Sequence, residues 1–153
     1  MRQNFIEVQQ QDFNLEAEYR ALCLDNQQDG AVVFFVGLVR DFNQGAEVKS
    51  LFLEHYSGMT EKCLESIVVQ ARDKWQLGRV RVLHRVGQLE LGEQIVFVGV
   101  SSPHRKNAFE ACEFIMDYLK TQAPFWKKEL SPEGETWLEA KQSDHNEADK
   151  WGA

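Results

Sequence analysis

The sequence predicts a single α+β domain, and three observations lead there. Two long segments carry the three-and-four spacing of apolar residues that marks a helix with one buried face. Short β-branched and aromatic runs lie before, between and after them. The connections between strand-like runs are tight, which favours antiparallel pairing over a doubly wound parallel sheet. The predicted order is hairpin, helix, hairpin, helix, short strand.

Each element has its own reason. Leu15 to Leu24 reads as a short amphipathic helix that closes before the Asp29-Gly30 turn. Ala31 to Arg40 (AVVFFVGLVR) is apolar on both faces and is expected as a buried strand. A polar loop, Asp41 to Glu47, contains Gly45, and Val48 to Tyr56 returns as the second strand of a hairpin. Met59 to Trp75 is the first long helix, with Leu64, Ile67, Val68, Ala71 and Trp75 on its apolar face. Arg79 to Val86 alternates, placing Val80, Val82, His84 and Val86 on one side and Arg79, Arg81 and Arg85 on the other. Gly87 to Glu93 carries turn residues, and Gln94 to Val100 is another buried strand. Pro103 to Lys120 is the second long helix; Ser131 to Gly134 turns before a short strand at Thr136 to Ala140. Gly37 and Gly99, inside strands, mark bulges or close backbone approach. The whole of 1–153 is expected to form one domain, with 143–153 a polar, flexible tail.

Composition narrows the function. With 153 residues, 43% hydrophobic and 11% aromatic, the chain can build a core, and disorder is not expected. Its formal charge of −7 argues against nucleic-acid binding, which needs a basic face. Cys23, Cys63 and Cys112 are too far apart in sequence for close zinc-ligand pairings and read as reduced thiols of a cytoplasmic protein, Cys112 as packing. No export signal is evident near Met1, and no apolar run reaches the ~20 residues a membrane helix requires. Phosphate-binding loops, dinucleotide fingerprints, Gly-x-Ser-x-Gly elbows and His-Glu-x-x-His helices are all absent.

Three segments carry possible chemistry. In Ser102-Pro-His-Arg-Lys106, a strand gives way to a helix, with Ser102 as cap and Pro103 at the first helical position. His104, Arg105 and Lys106 then crowd cations onto a helix end that is already positive, at a cost of roughly 0.3–1 kcal/mol each. Two readings stand: the segment holds an anion, or the long side chains swing into solvent. In Asp117 to Lys128, the helix ends a little before Pro124 and the chain turns, bringing Lys127 back towards Lys120. Spacing alone favours a simple pairing of Lys120 with Asp117. Set among other cations or partly desolvated, Lys120 would instead lose its proton readily and serve as base or nucleophile. Arg40 closes a strand and is either a solvated strand end or an anion fork. His84, sharing a face with valines, is expected as a core histidine with a satisfied hydrogen bond; His145 carries no signal.

One geometric consequence follows. His104 and Lys120 are sixteen helical steps apart, about 24 Å at ~1.5 Å per residue. A site that uses both draws its two ends from different subunits, for example across a two-fold axis.

Taken together, these segments resemble the large, catalytic subunit of molybdopterin synthase, the MoaE family, from about Asp29 to Ser143. The likeness is densest in Asp29-Gly-Ala-Val32, Gly37-Leu-Val-Arg40, Leu53-Glu-His-Tyr56, Gly58-Met-Thr-Glu-Lys62, Leu77-Gly-Arg-Val80 and His84-Arg-Val-Gly87. It continues through Ile95 to Val100, His104-Arg105, Phe114 to Lys120 and Ala123 to Glu129. The resemblance implies an α/β-hammerhead-type fold with antiparallel sheets and two long helices, and a homodimer that forms a heterotetramer with two small ubiquitin-like sulfur carriers. Each carrier would insert a C-terminal Gly-Gly thiocarboxylate. Two sulfurs would pass to cyclic pyranopterin monophosphate (precursor Z), giving the dithiolene of molybdopterin. Carried over by position, Lys120 and Lys127 are the catalytic pair. Leu38, Val39, Arg40, His104, Arg105, Lys128 and Glu129 join them in binding substrate; no metal and no cofactor is implied. Leu38 and Lys141 depart from the basic residue and the arginine expected there, which bears on phosphate binding. Two rivals remain: a dimeric module that binds a carrier or anionic metabolite without turnover, and a metal-dependent hydrolase, which lacks a ligand cluster.

Overall fold

The computed structural model describes residues 3–40, 42–43, 46–47, 50–131, 134–138 and 151. The first sheet has the order β1-β6-β8-β2, built from β1 (Gln3–Gln9), β6 (Arg79–Arg85), β8 (Gln94–Ser102) and β2 (Ala31–Leu38). The second has the order β10-β9-β5-β7, from β10 (Gly134–Leu138), β9 (Phe125–Ser131), β5 (Ser50–His55) and β7 (Gly87–Glu90). A two-stranded ribbon, β3 (Phe42–Asn43) with β4 (Ala46–Glu47), lies in the chain between β2 and β5. Among the described residues the helices are α1 (Leu15–Cys23), α2 (Met59–Lys74) and α3 (Arg105–Gln122). The mixed α+β class and the two long helices agree with the sequence.

The first sheet is buried on both faces, and its alternation explains how. Val80, Val82 and His84 on β6 pair with Val100, Val98 and Val96 on β8, and all six are buried. They belong to the side covered by α2 and α3, in a core that also holds Leu64, Ile67, Phe114, Ile115 and Leu119. Leu83 and Phe97, offset by one residue, face the other way and join Phe13 and Leu22 beneath α1. Each large apolar side chain fully buried in this way contributes roughly 1.5–3 kcal/mol. The outward arginines of β6 latch α1 in place: Arg79 donates to the carbonyls of Ala21 (3.1 Å) and Leu24 (2.7 Å), and Arg81 pairs with Glu18 at 2.8 Å.

Several expectations are corrected. The segment from Ala31 is not a buried strand in a hairpin with the strand ending near Tyr56. β2 is an edge strand paired with β8, while β5 lies in the second sheet between β7 and β9. Phe34 and Phe35 are about 40% exposed and Leu38 more than half; an apolar run reads the same whether core or another molecule covers it. The turn expected at Gly87 to Glu93 includes β7, so the link between β6 and β8 also serves the second sheet. β1, which the sequence reading did not assign, runs parallel to β6, a pairing that local turn signals cannot reveal. β9 was likewise unassigned. The expected strand to Ala140 is described as Gly134–Leu138. Of the expected flexible tail, 143–150 and 152–153, with Lys141 and His145, lie outside the described residues; Trp151 packs edge-on against Trp75 and Phe114.

The two strand glycines do what their positions require. The β2–β8 register shifts between Gly37 and Leu38. At Gly99, an added Cβ would meet Leu22 Cδ1 at 2.5 Å and Phe97 Cε1 at 2.7 Å, so the missing side chain lets α1 settle on the sheet. Gly99→Ala is therefore expected to destabilise the protein by roughly 1–3 kcal/mol through overpacking, read as a lower urea midpoint with an unchanged slope.

Candidate active site

The site lies where the two sheets meet at the C-terminal end of α3. Within the second sheet, β5 and β9 pair His55 with Phe125 and Leu53 with Lys127, so these four share one face. Leu53 is buried in the main core, which fixes that face as the inner one. From the first sheet, His84 lies directly against it: its ring stacks on Phe125, centroids 3.9 Å apart and planes 20° from parallel. Lys120 arrives from the last turn of α3, where a cation complements the helix dipole.

Thr60, fully buried at the start of α2, pins the junction. Its hydroxyl donates to the carbonyl of Pro124 (3.0 Å) and accepts from the amide of Tyr56 (3.0 Å). One side chain thus ties the chain just before Phe125 to the chain just after His55. Glu61 accepts from the amide of Gly58 at 2.9 Å and lies 4.0 Å from His55.

His84 is 4% exposed, and its pKa is pushed down to about 3, mainly by burial. The positive charges of Lys120 and Lys127 push in the same direction, while the bond to Arg85 opposes them. The ring is neutral at physiological pH. Its Nδ1 lies 2.8 Å from the carbonyl of Arg85, an oxygen that only accepts, so the single ring proton is on Nδ1 and Nε2 carries a lone pair. Lys120 is half-buried and, among the described residues, has no carboxylate within ion-pair distance. The simple Lys120–Asp117 pair is not formed: Asp117 accepts instead from the indole of Trp151 at 2.6 Å.

The remaining residues divide. Lys128 points to the opposite face of β9 from Lys127, with its amine 5.5 Å from the centre of the Phe52 ring. Glu129 lies on β9 opposite Leu51, and its side chain lies outside the described residues. Val39 is buried in the main core, its amide donating to Glu93 O and its carbonyl accepting from Gly92. Leu38 and Arg40, on either side of it, are exposed. The helix start expected at Pro103 is corrected: α3 begins at Arg105, and His104 is the extended residue that caps it. Ser102 belongs to β8, where its hydroxyl donates to Gln76 O and accepts from the His104 amide. That bond to β8 holds the chain extended two residues further than the Ser-Pro signal suggests. His104 and Arg105 are exposed at the far end of α3 from Lys120. Cys112 is buried, and desolvation pushes its thiol up to about 12, so it serves packing.

The sequence reading assigned His84 to the core and gave no role to His55, Phe125 or Thr60. The segment from Phe125 to Ser131 has no clean apolar alternation, so the strand that sets Phe125 beside Lys127 left no periodic signal.

Comparison with known proteins decides the family. A family model described as MoaE protein matches residues 8–122, three quarters of the chain. The chain belongs to the MoaE family. The molybdopterin synthase catalytic subunit of Vibrio cholerae is 57% identical over 146 residues, covering 95% of this chain and 97% of that protein. The Escherichia coli protein of the same description is 55% identical over 151 residues, covering 99% and 100%. The MoaE protein of Burkholderia ambifaria superposes with a TM-score of 0.84 at 47% identity, covering 98% of this chain and 99% of its own. The MoaE match contains Arg40, His84, His104, Arg105 and Lys120, and ends before Lys127.

Burial of the neutral imidazole has a measurable consequence. With the folded pKa near 3 and the unfolded value near 6.5, the unfolded chain binds the extra proton between those limits. Stability contributed by the neutral ring is therefore complete above pH ~6.5 and falls as pH drops towards 3, by up to about 1.4 kcal/mol per unit. Urea titrations from pH 7 to pH 4 should show this slope, and His84→Phe should flatten it.

Proposed function

We propose that this chain is the catalytic subunit of a molybdopterin synthase, a cytoplasmic sulfurtransferase that moves sulfur from a thiocarboxylated carrier protein to cyclic pyranopterin monophosphate. The observation that supports the reading is the placement of Lys120 in the last turn of α3 and Lys127 on the inner face of β9, the strand that follows α3, with both charges acting on the buried ring of His84. Two ammonium groups gathered at one inner face suit an anionic tail and a phosphorylated substrate, in a protein whose total charge is −7. Lys120 is the proton-transfer residue as the thiocarboxylate sulfur attacks and oxygen leaves, with Lys127 beside it. Arg40, exposed just beyond β2, is a candidate for the phosphate.

His104 and Arg105 sit about 24 Å from Lys120 by the helical rise, so within one chain they serve another end. In the proposed homodimer, His104 of the partner subunit completes each site. The exposed apolar residues Phe34, Phe35, Leu38 and Tyr19, on and beside the open edge of β2, favour an assembled state over a free monomer. A small carrier with a C-terminal Gly-Gly thiocarboxylate is the second partner, giving a heterotetramer.

The direct test mixes the protein with thiocarboxylated carrier and precursor and follows dithiolene product; binding without product would leave a carrier-binding module instead. Lys120→Ala should lower turnover by at least about a hundredfold, the scale of general acid–base catalysis, while carrier binding measured by calorimetry persists. Mixed dimers pairing a His104→Ala subunit with a Lys120→Ala subunit should recover about one site in two, because one pocket then holds both intact groups; no recovery would place each site within a single subunit.

A further inference from the structure

Thr60 is the second residue of α2, yet both hydrogen bonds of its hydroxyl go to residues outside that helix, Tyr56 and Pro124, each at 3.0 Å. Their directions are fixed. An amide N–H only donates and a carbonyl only accepts, so the hydroxyl accepts from Tyr56 and donates to Pro124. Thr60 has no exposed surface, and a reverse bond from its own amide to the Tyr56 carbonyl, 2.8 Å, closes the contact. Pro124 forms the link between α3, capped by Ala123, and β9, which opens at Phe125. In sequence this link stands four residues after Lys120 and three before Lys127. The other partner, Tyr56, directly follows His55, which pairs with Phe125 across β5 and β9.

We propose that Thr60 is a positioning residue for the sulfur-transfer site: its hydroxyl clamps the α3–β9 link to the end of β5, and so sets the helix turn that carries Lys120 against the strand that carries Lys127. This deepens the reading above and rests on it for the catalytic consequence, while the clamp itself rests on the two hydrogen bonds. The bond from the Phe125 amide to the Ala123 carbonyl, 2.9 Å, is local; it shapes the link without deciding where the link sits. The bond from Thr60 reaches across 64 positions of sequence and does decide it. Valine has nearly the same shape and lacks the oxygen, so it would leave a carbonyl and an amide without this partner, and the link would shift to satisfy them. A shift of about 1 Å at a catalytic group costs up to ~100-fold in rate, with no contact between Thr60 and substrate required.

Two measurements test this separately. Amide hydrogen exchange followed by NMR should show the Tyr56 amide protected in the native protein and in Thr60→Ser, and exchanging at least about tenfold faster in Thr60→Val. An unprotected Tyr56 amide in the native protein overturns the clamp whatever reaction is catalysed. In the carrier-plus-precursor assay, at a temperature where every variant is folded, Thr60→Val should lose about tenfold in kcat, with KM for the precursor within about threefold. Thr60→Ser restores the oxygen and should stay within about twofold of the native kcat. Gly99→Ala, destabilised beneath α1 on the other side of the first sheet, controls for lost stability and should keep kcat within about twofold. Native kcat in folded Thr60→Val overturns the role, and so does an equal loss in Gly99→Ala; should Thr60→Val not fold, a tenfold loss in Thr60→Ser would do so. If the native protein forms no product while Tyr56 is protected as expected, the assigned reaction fails and the clamp stands.

Discussion

The stack of His84 on Phe125 joins two sheets that otherwise have separate hydrogen-bond networks, and the rest of the site depends on it. A polar ring in a core is tolerated only if its polar atoms are satisfied and its charge is suppressed. Arg85 O meets the first need, and desolvation with neighbouring cations meets the second. A neutral ring adds no positive charge to the field of Lys120 and Lys127 that acts on it.

The length of α3 sets the larger architecture. It spans Arg105 to Gln122, with Ser102 fastening its entry to Gln76 and Thr60 fastening its exit at Pro124. Both ends of the helix are thus tied to α2 or its flanks, so the distance between His104 and Lys120 is a rigid quantity. His104 and Arg105 at one end and Lys120 at the other therefore do not meet inside one molecule.

The partition of the arginines shows why positive residues in the sequence are poor guides individually. Arg72 donates to the carbonyls of Leu77 and Gly78, Arg79 and Arg81 hold α1, and Arg85 bonds Gln10 O and Gln94 O. Arg72, Arg79 and Arg85 thus brace the fold by capping backbone carbonyls, and Arg81 does so through the Glu18 carboxylate. Lys127 and Lys128 are adjacent in sequence yet opposed in space, because successive residues of a strand face opposite sides.

Residue order alone determined the two long helices, the alternation of β6, the close approach at Gly99 and the rough place where α3 ends, because each rests on periodicity or on the backbone limits of glycine and proline. It also brought Lys120 and Lys127 forward as candidates. Tertiary structure decided what local pattern does not encode: that β2 is an edge, that β1 runs parallel to β6, and that β5 and β9 form a second sheet. It also decided that a histidine read as core stacks on Phe125 of the other sheet. Strand pairing and burial are set by residues distant in sequence, so the chemistry of His84 emerges only when β6, β9 and α3 are brought together.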